Sequence, residues 1–361
     1  MPRDALLRQL LVELAELLQR DDVTELCVNG SGSVFFETNE GWTQQRIASL
    51  TPERCEMIAK AVATYSHQEV SKTKPILSAM LPQGERIQIV MPPVAETDGA
   101  SFTIRRPSRD IRTLEKYEEA GAFGRFAWGY SRRLEERLED LAPLDRRLVG
   151  LLRGRNLKEF LRLAVRERKN IAVVGETGSG KTTLMKTLCQ SIPANERLLT
   201  IEDVRELMLP KHPNRVHLLY SKGDQGAADV SPAQLIASAM RMKPDRVLLA
   251  ELRGAEAYDY LKLLTTGHAG SITSYHAESG ALAPDRYVFM AKEHADAQAY
   301  DPPAIKQLVK LTIDVVVMVV AKAIYDENDN VIGKERYVSE ITFDPVAKLE
   351  AQFGDAKVYR Q

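Results

Sequence analysis

Leucines at positions 6, 7, 10, 11, 14, 17 and 18 recur at helical spacing near the start of the chain. The opposite face mixes Arg8, Glu13, Glu16 and Arg20. A helix lying on a membrane would carry more Lys and Arg there, so the balance favours packing on a core. Two β-rich runs, VTELCV and SVFFET, then flank Asn29-Gly30-Ser31-Gly32, a hairpin signal. A helix over 52–65 and strands over 87–91 and 101–104 complete an α+β N-terminal domain, expected to span residues 1–107.

The pattern changes over 108–156. Arg and Glu dominate, Leu134, Leu138 and Leu141 are spaced four and three apart, and Arg132–Glu136 forms an i,i+4 pair. Pro143 interrupts before Leu144, Leu148 and Leu151 resume the helical spacing. This reads as a helical linker. Beyond it, Leu157, Phe160, Leu161, Ala164 and Val165 make one helix face, and Asn170–Val174 reads as a buried strand. Strands and helices alternate from there to about Ala321, which predicts a parallel sheet with crossover helices in a domain of residues 157–361. The run Val315–Ala321 is bounded by Asp314 and Lys322, too short to span a bilayer and rich in β-branched residues, as in a buried strand.

Composition narrows the setting. The net charge is −1, a poor footprint for a nucleic-acid binder, so direct nucleic-acid binding is not expected. Cys27, Cys55 and Cys189 are scattered, which fits a reducing compartment without a disulfide framework. Acidic residues inside the first apolar stretch argue against a signal peptide. The expected location is the cytoplasm.

The strand Ile171–Val174 runs straight into Gly175-Glu176-Thr177-Gly178-Ser179-Gly180-Lys181-Thr182-Thr183, which fits G-x-x-x-x-G-K-[ST], and a helical run follows. Such a loop turns several backbone N–H groups toward phosphate oxygens at a helix N-terminus. Lys181 would reach the β- and γ-phosphates, and the Thr182 hydroxyl would meet Mg²⁺. The expected ligands are ATP and Mg²⁺.

Hydrolysis also needs a group to orient water. Arg246–Ala250 is an apolar strand ending at Glu251, the candidate to polarise the water and to hold the metal, directly or through water. Arg197–Ile201 is another strand, ending in Glu202-Asp203, and Glu202 is the second candidate acid. Ser271–Ser274 reads as a strand with His276 at its end, facing the same cluster. His268 and His276 are eight apart, with no third ligand nearby, which disfavours zinc. His276 reads as a sensor of the γ-phosphate, and His268 is left open.

Together these residues resemble the traffic ATPase family of bacterial type IV secretion systems, within the secretion-ATPase superfamily. GETGSGKTT is similar to its Walker A, TIEDVREL to its Asp box, MRMKPDRVLLAELRG to its Walker B and TGHAGSITSYHAES to its His box, in the family's order. The resemblance implies an α/β RecA-like P-loop ATPase domain joined by a helical linker to an α+β N-terminal domain, with ATP held between the two. It implies a homo-hexameric ring, peripheral to the cytoplasmic face of the inner membrane, working with inner-membrane components of a secretion channel. It implies that Arg86, Arg105 and Arg241 approach the phosphates. Two features depart from the family: Ala250 replaces a common Gly, and the connection Gly124–Arg155 is long, with about 25 helical residues that could span nearly 40 Å. A RecA-like nucleic-acid translocase and a non-catalytic nucleotide switch are the alternatives. No N-K-x-D motif supports a GTPase, and no lid-like Arg cluster supports a small-molecule kinase.

Overall fold

The computed structural model describes residues 4–38, 40–106, 111–220, 230–327, 329 and 331–353. The boundary expected at 107/108 lies outside them.

The N-terminal part runs α1 (Ala5–Leu10), α2 (Val12–Gln19), β1 (Glu25–Val28), β2 (Ser33–Thr38), β3 (Gly41–Arg46), α3 (Pro52–Tyr65), β4 (Ile76–Met80), β5 (Arg86–Val90) and β6 (Ser101–Arg105). The strands form one antiparallel sheet in the order β3-β2-β1-β6-β5-β4. Alternate residues face the helices: Leu26, Val28, Val34, Phe36, Ile87, Ile89, Phe102 and Ile104 are buried against Leu7, Leu14, Ile58 and Val62. Pro52 opens α3, and the Thr51 hydroxyl caps the Arg54 N–H. The leucine-rich start is one apolar stripe but two helices, broken at Leu11.

Residues 111–156 fold as α4 (Leu114–Glu119), β7 (Ala127–Gly129), α5 (Arg133–Glu136) and α6 (Pro143–Arg153). They are not one long helix, and the 40 Å span does not apply to them. Leu114, Phe126, Leu134, Leu148 and Leu152 pack into one core with Leu157, Phe160 and Leu161, so this core runs across the boundary expected at 156/157. What reads locally as a connector is apolar because it covers the larger sheet.

That sheet follows from α7 (Leu157–Arg166), β8 (Ile171–Val174), α8 (Lys181–Cys189), β9 (Leu198–Glu202), β10 (Arg215–Leu219), α9 (Pro232–Ala239), β11 (Arg246–Leu249), α10 (Glu256–Thr265), β12 (Ile272–Tyr275), α11 (Ala283–Ala291), α12 (Pro302–Thr312), β13 (Val315–Tyr325), β14 (Val331–Thr342) and α13 (Pro345–Phe353). Its order is β10-β9-β11-β12-β8-β13-β14-β7. The first six strands are mutually parallel, and β14 returns antiparallel to β13. Both faces are covered, as a parallel sheet requires. On β8, Ile171 and Val173 join the core with α7 and α8, whereas Ala172 and Val174 join the core with α10 and α11. The carboxyl ends of β8, β9, β11 and β12 therefore open on one edge, where ligands bind in such sheets.

Candidate functional site

The loop after β8 is shaped by three glycines. Gly175, Gly178 and Gly180 have φ of 152°, 74° and 100°. A Cβ at Gly175 would stand 2.2 Å from the Val319 carbonyl oxygen, so no other residue fits there. Glu176, Thr177 and Gly178 are exposed along the rim, and α8 starts at Lys181. Ser179 is buried, and its hydroxyl has no hydrogen-bond partner among the described residues. A buried hydroxyl without a partner, beside a helix N-terminus, suits an anionic ligand that supplies one.

Lys181 is buried, and its Nζ donates to the Gly175 carbonyl at 3.0 Å and the Glu176 carbonyl at 2.7 Å. Burial lowers its pKa to about 8, with Arg105 and Arg253 adding to the effect and Glu251 opposing it. A third contact, at 3.4 Å, joins Nζ to Nδ1 of His276 at the end of β12. An ammonium can only donate, so Nδ1 accepts and the imidazole proton sits on Nε2. Nε2 lies 3.0 Å from Glu251 Oε1, just beyond β11. Burial and the neighbouring Lys181 push the His276 pKa below its ordinary value, keeping the ring neutral.

The chain of contacts continues away from the loop. Glu251 Oε2 pairs with Arg253. Arg253 Nη1 donates to Asp203 Oδ2 at 3.0 Å, and Arg86 Nη1 donates to the same oxygen at 3.2 Å. Burial works against the Arg253 charge, but Asp203 and Glu251 outweigh it and raise its pKa. Arg86 precedes Ile87 on β5, so it faces away from the N-terminal core and toward the ATPase-like sheet. One line of polar contacts thus runs from the N-terminal sheet to the phosphate-loop lysine.

The remaining candidates fall differently. Glu202 is fully buried and turned inward. Its Oε1 accepts the Leu207 N–H at 2.8 Å, and its Oε2 accepts the Thr200 hydroxyl at 3.1 Å, so it braces the loop after β9. The acid that enters the cluster is its neighbour Asp203. Arg105 is exposed beside Arg86, opposite it in the β5–β6 register, and close enough to Lys181 to affect it. Arg241 is exposed beyond α9, outside the contact chain. His268 lies before β12, at the opposite end of the strand from His276, and its Nδ1 meets the Thr266 hydroxyl at 3.2 Å. Thr182 and Thr183 lie on the first turn of α8. Glu206, which the sequence did not single out, lies near Thr182, and burial raises its pKa. Arg253 and Asp203 were likewise not singled out. Arg253 sits two residues past Glu251, inside the stretch similar to the family's Walker B, but nothing local shows that it joins Glu251 to Asp203.

A phosphate loop on the central strand of a doubly wound sheet, with a carboxylate and a neutral histidine beside its lysine, defines a P-loop ATPase. The family model described as "Type II/IV secretion system protein" matches residues 141–343. The chain is 42% identical over 340 residues to the type IV secretion system protein VirB11 of Brucella suis biovar 1 (strain 1330), covering 94% of this chain and 90% of that protein. It is 40% identical over 314 residues to the type IV secretion system protein PtlH of Bordetella pertussis (strain Tohama I), covering 85% and 88%. The crystal structure of the VirB11 ATPase from Brucella suis, in complex with sulphate, matches with 41% identity and a TM-score of 0.52 over 97% of this chain and 98% of that one. The pilus retraction motor PilT with bound ADP, 14% identical, shares the fold, with a TM-score of 0.58 over 96% and 85%. The chain belongs to the type II/IV secretion family and is a nucleotide-binding ATPase of the type IV secretion branch.

Proposed function

We propose that this chain forms a homo-hexameric ring that hydrolyses ATP between its N-terminal and ATPase units to drive substrate passage or apparatus assembly in a type IV secretion system. The observation that carries this reading is the unbroken contact line Arg86–Asp203–Arg253–Glu251–His276–Lys181, which ties both units to one phosphate loop.

In this reading the loop 175–183 cradles the triphosphate, and Lys181 exchanges its backbone carbonyl partners for phosphate oxygens. Glu251 polarises the attacking water. Neutral His276 donates to Glu251 and faces Lys181, so a change in the lysine's partners reaches the base through one ring. Arg86 and Arg105 add positive charge from the N-terminal unit, and Arg241 would act only if a neighbouring subunit or a movement brings it in. We take Glu202 as a brace for the loop that carries Asp203.

Among the described residues no group of three His, Cys, Asp or Glu is placed to hold a metal. Mg²⁺ usually takes one or two protein oxygens together with phosphate and water, and the Thr182 hydroxyl at the start of α8 and the nearby Glu206 carboxyl are oxygen donors of that kind. Those two residues would hold it, and it would neutralise phosphate charge. Glu251, with its oxygens on His276 and Arg253, would meet it only through water.

Among the described residues no helix is long and apolar enough to cross a membrane. Peripheral attachment to the cytoplasmic face of the inner membrane, through the channel's own components, completes the proposal. We also propose two units per chain, one before and one after residues 107–110. Light scattering of the purified chain with and without an ATP analogue, alongside its ATPase rate, tests the whole reading. A mass of six chains with turnover is expected; an inactive monomer under both conditions rejects it.

A further inference from the structure

The strand β14 is not used by the reaction described above, yet it contacts the N-terminal sheet, the phosphate loop and the segment after His276. Near its start, Lys334 Nζ donates to Glu37 Oε1 of β2 at 2.8 Å, which joins the strand to the N-terminal sheet. Two residues on, and so on the same side of the strand, Arg336 reaches the phosphate loop. Its Nε donates to the Gly178 carbonyl at 3.3 Å, and its Cδ lies 3.3 Å from where a Cβ of Gly180 would stand. Ser339 is then skipped in the pairing with β13, where Met318 faces Glu340 and Val319 faces Val338. Such a bulge re-aims a strand. Below it, Glu340 Oε2 accepts the Gly280 N–H at 2.9 Å, in the segment that follows His276.

The Arg336 contact falls on a decisive peptide. The Gly178 carbonyl and the Ser179 N–H belong to one peptide plane and point in opposite directions. That plane is pinned at both ends by contacts at the long end of the hydrogen-bond range: Arg336 on the carbonyl, and the Glu176 carbonyl, 3.3 Å from the Ser179 nitrogen. Gly178, at one end of the plane, has positive φ and little resistance to rotation. The direction of the Ser179 N–H, one of the loop's donors, is thereby set partly by an arginine more than 150 residues away in sequence.

We propose that Arg336 is a positioning residue for the phosphate loop, fixing the orientation of the Gly178–Ser179 peptide through the Gly178 carbonyl. Through Lys334 it ties that orientation to the placement of the N-terminal unit. The inference rests on the reading that loop 175–183 is where ATP is hydrolysed. When the N-terminal sheet shifts against the ATPase sheet, the Lys334–Glu37 pair pulls on β14, and Arg336 passes the pull to the loop.

The test uses the full-length chain, with steady-state ATPase kinetics and equilibrium binding of an ATP analogue. Arg336→Ala should raise KM and the analogue Kd about fivefold, with kcat changed less, as for loss of one charge-assisted hydrogen bond. Arg336→Lys should restore part of that affinity. Lys334→Glu and Glu37→Lys should each weaken binding about twofold, and the double exchange should return it toward the parent value. An unchanged Kd in Arg336→Ala overturns the proposal. So does a loss of kcat and affinity together with a lowered melting temperature and no rescue by lysine, which marks a merely structural role. Glu251→Gln, measured in parallel, separates the two readings: if it keeps full turnover the site assignment itself fails, whatever Arg336 does.

Discussion

Raising the pH should disarm Lys181 before ATP arrives but not after. Its pKa is held at about 8 by burial beneath the loop, against the ordinary 10.5. At pH 7 the free enzyme carries the ammonium in about nine molecules of ten; at pH 9 it does so in about one in ten. On the role proposed for Lys181 in meeting the triphosphate, kcat/KM should fall about tenfold per unit above pH 8. Once ATP is bound, its phosphates favour the ammonium, so kcat should stay level well past the point where kcat/KM declines. On the acid side, His276 titrates below its ordinary 6.5, and its protonation would put a second positive charge against Nζ, 3.4 Å from Nδ1. An acid limb below about pH 6.5 is therefore expected in kcat/KM. The assay is initial ATPase rate against ATP concentration from about pH 6 to 9.5, with analogue binding to Lys181→Arg as control, because arginine stays charged throughout. A kcat/KM that stays flat between about pH 8 and 9.5 would show that Lys181 is not perturbed in this way.

The same burial has a stability consequence. The folded value of Lys181 lies below the unfolded one, so between about pH 8 and 10.5 the unfolded chain holds more protons and this group's contribution to stability rises with pH. Below that window the buried charge costs up to about 3 kcal/mol. Lys181→Met removes this cost and forfeits two hydrogen bonds of about 1 kcal/mol each. Its melting temperature should rise by about 1–2 °C while ATP binding disappears; a lower melting temperature contradicts the reasoning. Glu202→Ala should lose about 2–4 kcal/mol in urea unfolding, because it strips a buried acceptor from Leu207 and Thr200. Asp203→Ala should leave that unfolding within about 1 kcal/mol of the parent and instead lower turnover, because its partners Arg86 and Arg253 are part-exposed. Equal effects of the two substitutions on both readouts would undo the division of roles.

The phosphate loop and the strands around it are legible in the sequence because their signals are local. Buried parallel strands read as short apolar runs, and the glycines of 175–180 announce a turn that other residues cannot make. What the sequence hides depends on direction and distance. Glu202 and Asp203 are adjacent acids at one strand end, and only the fold shows that the first turns inward while the second meets Arg253. His268 and His276 look like a pair, yet β12 separates them end to end. The leucines of 6–18 keep helical periodicity straight through the break at Leu11, because periodicity reports the buried face and not the backbone. The apolar residues of 114–152 cover a sheet whose other half lies far along the chain, so their local pattern reads as a connector. Arg336 carries no motif at all, and Arg253 lies inside a motif that does not tell its role; both roles come from what the fold sets beside them.

The central claim is that Glu251 acts on water at a site that binds ATP without it. Glu251→Gln keeps the shape that meets His276 and Arg253 but loses the charge that polarises water. Measured together on the purified chain, the variant should bind an ATP analogue at least as tightly as the parent. Its single-turnover hydrolysis should be about 10²–10⁴-fold slower. A variant that hydrolyses ATP at the parent rate would contradict the account.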